Sequence, residues 1–306
     1  MTLSAVIAST ATGPPRNDVV GPMPFAISYM PHACYNSGMV SLLHTFNPQP
    51  ILVELGWFSI RWYGLLMVIG IIAGIAVVVR LARRDTISQD TVFDLAFYLI
   101  LFSLLGARIY AVLLELPYYL KNPGEIIAVW HGGLAIHGAI IGGALTLLLY
   151  CWRKRQSFWQ WADRLVVALP LGQAIGRWGN YFNQELFGKP TDLAWGIPIS
   201  PANRPTEFLS SAYFHPTFLY ESLLNFLNFA LLFFLFSKLS NRRGVLAGVY
   251  LINYAIIRIT MEQLRIDSTP LWFGVRLPVV VSAFLIAAGA VLTIGGFRRS
   301  RRGLTV

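Results

Sequence analysis

A run of mixed polar residues follows a long apolar stretch and is the part of the sequence best suited to chemistry. The apolar stretch covers residues 165–175, and residues 176–188 read G-R-W-G-N-Y-F-N-Q-E-L-F-G. Ionisable and amide side chains at membrane depth are costly, so they normally face the protein interior and mark a site. Arg177 is a candidate for binding an anion, because a guanidinium stays charged and holds phosphate through two parallel hydrogen bonds. The alternative is an arginine that reaches a lipid headgroup.

A second set of polar residues recurs along one predicted helix. Tyr254, Arg258, Glu262 and Arg265 follow an i, i+4, i+8, i+11 spacing. This spacing predicts a single polar stripe on that helix, on which Arg258 and Glu262 form an ion pair. The pair is also consistent with a structural salt bridge between helices, because a buried ion pair alone is weak evidence of function.

Two more candidates lie near the ends of apolar segments. His137 is a lone histidine among glycine and aliphatic residues. An unperturbed imidazole can accept a proton near neutral pH, so a histidine suits a general base, although a lone histidine on an apolar face is equally consistent with a helix contact. Tyr63 is a candidate hydrogen-bond donor or an interfacial anchor. The remaining polar residues on predicted helices include Arg108, Glu221, Asn225 and Asn228.

The composition is that of a membrane protein. The chain is 56% hydrophobic and 12% charged, with a mean hydropathy of +0.58, and the charged fraction is about half that of a soluble domain. Seven segments reach the ~20 residues that span a bilayer. They cover residues 62–82, 92–115, 133–152, 163–183, 216–237, 244–264 and 276–297. The sequence therefore predicts an all-α polytopic membrane protein, a bundle of seven transmembrane helices.

The sequence outside these segments predicts the domain organisation. Residues 1–45 contain several helix-breaking prolines and form an outer extension that is disordered or follows from a mis-assigned start codon. Residues 46–298 form the seven-span domain, and residues 299–306 form a basic cytoplasmic tail. Residues 184–215 carry four prolines and are expected to form a small external cap between the fourth and fifth spans.

The charge distribution predicts the orientation. Most of the 24 basic residues cluster at one side of the predicted spans, which places the N-terminus outside and the C-terminus in the cytoplasm. The net charge of +10 is then explained by anionic lipid, so no nucleic-acid partner is expected. Cys34 and Cys151 lie on opposite sides in this topology and cannot form a disulfide. No metal-ligand or nucleotide-binding motif is present, and no metal or cofactor is expected.

The pattern G-R-x-G-N-x-x-N-x-E-x-x-G of residues 176–188 resembles the signature of the prolipoprotein diacylglyceryl transferases, which are bacterial membrane enzymes. Four other segments resemble the same family, and the resemblance covers residues 51–298. They are the glycine-rich segment around His137, W-Y-G at 62–64, H-P-x-x-x-Y-E at 215–221 and Y-x-x-x-R-x-x-x-E-x-x-R at 254–265. Phe218 departs from the family pattern, in which glutamine is expected.

The resemblance implies that a diacylglyceryl group passes from phosphatidylglycerol to the lipobox cysteine of a prolipoprotein signal peptide. The products are a thioether and glycerol 1-phosphate, and the location is the bacterial cytoplasmic membrane. The implied catalytic residues are His137, Tyr63, Asn180, Glu185, Arg258 and Glu262. The implied phosphatidylglycerol-binding residues are Arg177, Arg258, Arg265 and Gly188. The alternative is a transporter or flippase for an anionic lipid or metabolite, although the sequence lacks the internal repeat that such proteins often show.

Overall fold

A computed structural model of the protein describes residues 38–56 and 58–302, and these residues are mostly helical. The helices are α1 Gly38–Thr45, α2 Trp62–Ala82, α3 Gln89–Leu114, α4 Leu116–Lys121, α5 Ile136–Arg153, α6 Phe158–Asn183, α7 Thr217–Leu239, α8 Val245–Glu262 and α9 Leu277–Arg302. Short antiparallel strand pairs lie in the connections: β1 Ile51–Leu55 with β2 Phe58–Arg61, β3 Ile197–Pro198 with β4 Tyr213–Phe214, and β5 Leu271–Trp272 with β6 Val275–Arg276.

Each of the seven predicted spans falls on a long helix, namely α2, α3 and α5 to α9. Within the described residues, six of these helices are long and apolar enough to cross a membrane. The exception is α6, a 26-residue helix that carries Asp163, Arg164 and Arg177. Its charged side chains lower its hydropathy, so length and composition alone do not identify it as a span.

The predicted N-terminal extension falls only partly within the described residues. Its residues 1–37 lie outside them, whereas residues 38–45 form α1. Leu43 of α1 is buried against Ile197 and Phe214. His44 donates from Nδ1 to the carbonyl oxygen of Gly196 over 2.9 Å, and its ring stacks on Tyr213 at 3.9 Å. The folded part of the chain therefore includes α1.

Glycines bring the long helices into close antiparallel contact. A Cβ added to Gly70 of α2 would lie 3.4 Å from the backbone of Gly172 in α6, and one added to Gly106 of α3 would lie 2.4 Å from the carbonyl oxygen of Gly138 in α5. Small residues allow such approaches in lipid, where apolar burial gives helices little reason to associate. Gly70, Gly106, Gly138 and Gly172 therefore have a packing role.

The helix α6 lies inside the bundle and sets its two ends. It runs antiparallel to α2 and α7 and also packs against α5 and α8. We call the end that contains residues 177–188, the start of α7 and residues 258–276 the signature end. The opposite end, which contains residues 83–85, the start of α6 and residues 243–247, is called the basic end. The signature end is where the polar candidates collect.

Candidate functional site

The turn after α6 is strained and firmly held. Gln184 and Leu186 have φ angles of 52° and 56°, a region that costs a non-glycine residue about 1–3 kcal/mol. The hydroxyl of Thr217 donates to the carbonyl oxygen of Leu186 over 2.5 Å. The Gln184 amide donates to Asn47 Oδ1 at 2.8 Å and accepts from the backbone N–H of Ser200 at 2.7 Å. These bonds offset the strain, so the backbone turn keeps one conformation.

A chain of hydrogen bonds connects the polar residues of the signature. Arg177 Nη2 lies 2.6 Å from Glu221 Oε2, and its Nη1 donates to Asn180 Oδ1 over 3.2 Å. Asn180 Nδ2 in turn donates to Glu185 Oε1 over 2.7 Å. The Arg177 side chain is 26% exposed, whereas that of Glu221 is 5% exposed. The guanidinium is therefore oriented by buried partners and still reaches the surface of the site.

The end of α8 corrects one prediction. The helix ends at Glu262, so Arg265 is not part of a helical stripe. The chain turns there and pairs with the signature turn, through a β-bridge between Gly188 and Arg265 and a hydrogen bond of 2.9 Å from Lys189 N to Leu264 O. The turn's polar backbone groups need partners, and this pairing provides them.

Gly188 allows three segments to meet at this bridge. A Cβ at this position would lie 2.8 Å from His215 Cβ, 3.0 Å from Thr217 Cγ2 and 3.1 Å from the carbonyl oxygen of Leu264. Such contacts are too close for any other residue without a shift of the backbone. Burial and the charge of Lys189 lower the pKa of His215 at this junction, which favours its neutral form.

Glu221 and Glu262 each lie between two arginines. Glu221 pairs with Arg177 and, at 3.5 Å, with Arg265 Nη1. Glu262 Oε2 lies 2.8 Å from Arg258 Nη2, which confirms the predicted pair, although the geometry is not that of a hydrogen bond. Its Oε1 lies 2.7 Å from Arg276 Nε. Arg258 Nη1 is buried and has no hydrogen-bond partner among the described residues.

The charges of this arginine cluster do not cancel. We define the arginine cluster as Arg177, Arg258, Arg265 and Arg276 with the carboxylates Glu221, Glu262 and Asp267. Burial by itself raises the pKa of Asp267, but the hydrogen bond and charge of Arg265 hold this pKa below its ordinary value, so the carboxylate stays ionised. Four cations against three anions leave one net positive charge, which suits a singly charged anion.

Tyr63 and His137 occupy different surroundings. The Tyr63 ring packs on α6, where a Cβ on Gly179 would lie 2.5 Å from Tyr63 Cδ2. His137, the second residue of α5, is exposed and lies 5.9 Å from the Tyr110 ring between centroids. In the part of the chain that the structure describes, His137 makes no hydrogen bond to the arginine cluster.

Arg108 has a structural explanation. Its guanidinium donates to carbonyl oxygens of the loop before α5, at 3.0 Å to Ile126, 2.6 Å to Gly132 and 2.7 Å to Gly133, and it also contacts the Glu125 carbonyl oxygen. The residue is 7% exposed. A buried arginine that satisfies several backbone acceptors stabilises a loop, so this candidate holds the segment that leads to His137.

Phe218, the departure from the family pattern, fills an aromatic core beneath the signature. It is buried, stacks on Tyr181 at 4.4 Å between ring centroids and meets the edge of Trp178 at 5.2 Å. Aromatic packing of this kind contributes about 0.5–1.5 kcal/mol beyond the buried area. The position is therefore part of the packing that supports the polar residues.

Sequence reasoning missed the part of the site that follows α8. Arg276 ends β6, and neither Arg276 nor Asp267 was a candidate from the sequence. Arg276 is only the first residue of the apolar segment 276–297 and Asp267 precedes that segment, so no polar helical or strand pattern indicates their role. Glu221 was noticed on its predicted helix, but its position between Arg177 and Arg265 follows from how α6, α7 and the segment after α8 meet.

Comparison with known proteins agrees with the sequence pattern. A profile of the family described as prolipoprotein diacylglyceryl transferase matches residues 50–295. A protein of Synechococcus elongatus named phosphatidylglycerol--prolipoprotein diacylglyceryl transferase is 47% identical over 261 residues, which are 83% of this chain and 90% of that protein. A protein of the same name from Nostoc sp. is 46% identical over 248 residues, which are 79% of this chain and 87% of that protein. Another from Parasynechococcus marenigrum is 44% identical over 259 residues, which are 80% of this chain and 92% of that protein. The predicted family is confirmed, and the chain belongs to the prolipoprotein diacylglyceryl transferase family.

Proposed function

We propose that the protein transfers the diacylglyceryl group of phosphatidylglycerol to the cysteine thiol of a prolipoprotein lipobox. The observation that carries this proposal is the arginine cluster, with one net positive charge, a partly exposed Arg177 and a buried nitrogen of Arg258 that lacks a partner. A phosphodiester headgroup carries one negative charge and several acceptor oxygens. It therefore matches the cluster in charge and in hydrogen-bonding capacity.

The proposed reaction needs a thiolate and a stabilised leaving group. The cysteine thiol loses its proton, and its sulfur attacks the carbon of the diacylglyceryl group that is bonded to the phosphate oxygen. The C–S bond forms as the C–O bond breaks, and glycerol 1-phosphate leaves with about one more negative charge than the diester had. Preplaced arginines stabilise that developing charge. The bond changes balance without a cofactor.

We assign roles to the remaining residues on the same basis. Arg177 and Arg258 bind the phosphate, and Glu262 orients Arg258. Arg265 and Gly188 fix the signature turn to the end of α8. Hydrogen bonds to the headgroup or to the peptide come from Asn180, Glu185 and Tyr63. His137 accepts the thiol proton; its exposed position at the signature end leaves its imidazole accessible to a substrate.

We also propose that α6 is a seventh span. It runs antiparallel to both α2 and α7, two apolar helices of spanning length. Its ionisable groups face neighbouring helices: Asp163 accepts backbone hydrogen bonds from the start of α8, and Arg177 pairs with Glu221 of α7. Buried charges in a membrane bundle face the interior in this way.

The proposed topology places the signature end outside the cytoplasmic membrane. Basic residues concentrate at the opposite end, so the N-terminus is outside and residues 299–306 are a cytoplasmic tail. Residues 184–215 then form an external cap on the transferase domain, which spans residues 46–298 together with α1. The prolipoprotein signal peptide and the lipid meet the arginine cluster from the outer half of the bilayer.

A reconstituted reaction tests the proposed function. Purified protein in phosphatidylglycerol-containing nanodiscs is incubated with a synthetic lipobox peptide, and the peptide mass is measured. We expect a diacylglyceryl increment on the cysteine, and none when the peptide carries serine or when phosphatidylcholine replaces phosphatidylglycerol. Movement of lipid or solute across vesicles without any peptide adduct would support a transporter and contradict the transferase.

A further inference from the structure

Arg276 contacts three parts of the segment that joins α8 to α9. It ends β6 and directly precedes α9. Its Nη1 donates to the carbonyl oxygen of Arg265 over 3.2 Å, its Nη2 to that of Asp267 over 2.6 Å and its Nε to Thr269 Oγ1 over 2.8 Å. The same Nε lies 2.7 Å from Glu262 Oε1. One side chain thus connects the hairpin, the bridge residue Arg265 and the buried carboxylate at the end of α8.

Glu262 is consequently shared by two guanidinium groups. Its side chain is 1% exposed, so water does not screen its charge. One carboxylate oxygen faces Arg276 and the other faces Arg258. A single negative charge between two positive charges neutralises only one of them. The three residues together keep one net positive charge.

This sharing determines what Arg258 presents to a ligand. Arginine and carboxylate groups tend to form two parallel hydrogen bonds when both oxygens are free. Oε1 lies 2.7 Å from Arg276 Nε and also accepts a hydrogen bond of 3.5 Å from Thr269 Oγ1. Arg258 therefore faces only Oε2, and its Nη1 has no partner among the described residues. A buried donor without a partner is unfavourable, and an incoming acceptor oxygen relieves that cost.

We propose that Arg276 is a positioning residue that holds Glu262 away from full pairing with Arg258 and thereby keeps Arg258 available to the phosphate of an anionic lipid. This inference rests on the proposed function, because it takes the lipid phosphate as the ligand of Arg258. In the absence of Arg276, both oxygens of Glu262 turn to Arg258. The pair becomes neutral, and the attraction for the phosphate falls.

A purely structural role makes a different prediction. The bonds from Arg276 to Arg265, Asp267 and Thr269 also hold the segment before α9 in place. If these bonds were its whole contribution, removal of the Glu262 charge would add further damage to an Arg276 variant. If Arg276 acts through Glu262, removal of that charge relieves the pairing and restores lipid binding. The two roles therefore predict opposite effects when Glu262→Gln is added to an Arg276 variant. A structural role predicts weaker lipid binding, and a positioning role predicts recovered lipid binding.

The test compares Arg276→Gln, Arg276→Lys and the double variant Arg276→Gln with Glu262→Gln. The equilibrium Kd for phosphatidylglycerol is measured in nanodiscs of phosphatidylcholine with increasing phosphatidylglycerol content, and the KM for the lipid is measured in the peptide reaction. We expect Arg276→Gln to raise both by roughly 10-fold, as for the loss of one hydrogen bond to a charged group. Arg276→Lys keeps the charge and should lie between this variant and the unchanged protein.

The decisive result is the double variant. We expect its Kd for phosphatidylglycerol to return toward that of the unchanged protein, although its turnover stays low because Glu262 is altered. A Kd weaker than that of Arg276→Gln alone would overturn the proposal. Arg204→Gln is the matched control. Arg204 also donates hydrogen bonds to two carbonyl oxygens, those of Ile199 and Leu209, but does not contact Glu262. The Kd of this variant for phosphatidylglycerol should equal that of the unchanged protein.

The outcomes also separate this inference from the proposed function. If the unchanged protein binds phosphatidylglycerol and the double variant restores the Kd, the role of Arg276 holds even when no peptide adduct forms. If the adduct forms but Arg276→Gln leaves both Kd and KM unchanged, the transferase stands and the role of Arg276 is wrong. Thermal unfolding of each variant verifies that the proteins compared are folded.

Discussion

Asp163 at the basic end and Glu262 at the signature end are both buried carboxylates, with different surroundings. Asp163 Oδ2 and Oδ1 accept hydrogen bonds from the backbone N–H groups of Gly244 at 2.6 Å and Ala247 at 2.8 Å. They cap the start of α8, where the helix dipole favours a negative charge. Glu262 instead lies between two arginines, and its Oε2 has no hydrogen bond within the described residues.

The neighbouring arginines each keep one buried nitrogen without a partner, but they differ in how many other contacts the guanidinium makes. Arg164 at the basic end pairs with Asp85 and donates to the Gln160 carbonyl oxygen at 2.8 Å. Its guanidinium carbon also lies 5.5 Å from the centre of the Trp161 ring. Of its nitrogens, Nε alone lacks a partner among the described residues. Arg258 forms one ion pair among the described residues, with Glu262, and has an unpartnered Nη1. Burial alone therefore does not identify a site. The Asp163 carboxylate is bonded on both oxygens to the backbone and fastens α6 to α8, whereas the Arg258 guanidinium keeps a buried Nη1 that can donate to a ligand.

The largest effect is expected at the signature end for His137→Gln. A general base typically contributes a factor of about 10²–10⁴ to the rate, and the substitution removes the proton acceptor while preserving polarity. The initial rate of peptide modification should fall by this factor near neutral pH. His131→Gln is the matched control, because His131 lies in the adjoining loop and is already paired with Glu125 at 2.9 Å. Equal rates for the two variants would exclude His137 as the base.

A smaller loss is expected for Arg177→Lys. Lysine keeps the charge but cannot form parallel hydrogen bonds with Glu221, Asn180 and a phosphate. The loss of one charge-assisted bond, about 1.5–3 kcal/mol, lowers the rate by about 10- to 100-fold if the contact tightens in the transition state. Turnover at saturating phosphatidylglycerol tests this expectation. Near-normal turnover would mean that Arg177 is an interfacial anchor, and the phosphate site would then centre on Arg258.

Asp163→Asn should affect stability and not catalysis. An amide retains one acceptor oxygen, so one of the two charge-assisted bonds to the start of α8 is lost. The free energy of unfolding should fall by about 1.5–3 kcal/mol. Denaturation in detergent measures the stability, and the rate per folded molecule measures catalysis. A reduced rate in fully folded Asp163→Asn protein would contradict a purely structural role for the basic end.

The smallest effect is expected for removal of residues 1–37. These residues precede α1, and none of the polar candidates lies among them, so insertion and transferase rate should remain unchanged. Removal of residues 1–45 is the sharper comparison, because it also deletes Leu43 and His44, which pack against the cap. We expect the longer truncation to lower the unfolding temperature. Identical unfolding temperatures for the two truncations would show that α1 does not support the cap.

Much of the protein follows from local sequence. The long apolar segments predicted where the helices lie, because span length is set by the bilayer and needs no knowledge of neighbours. The pairing of Arg258 with Glu262 was also accessible, since residues four apart share a helix face. The signature of residues 176–188 was sufficient to indicate the family. Each of these inferences depends on residues close together in the chain.

Contacts between distant segments required the tertiary structure. The Arg276 side chain reaches Glu262, Asp163 caps α8, and Glu221 lies between Arg177 and Arg265 only because the helices pack as they do. The end of α8 at Glu262 was mispredicted for the same reason: the backbone of residues 264 and 265 pairs with the signature turn instead of continuing the helix. A periodic pattern records which face of a helix is polar. Helix packing decides which charged residue contacts that face and whether the charge is left without a partner.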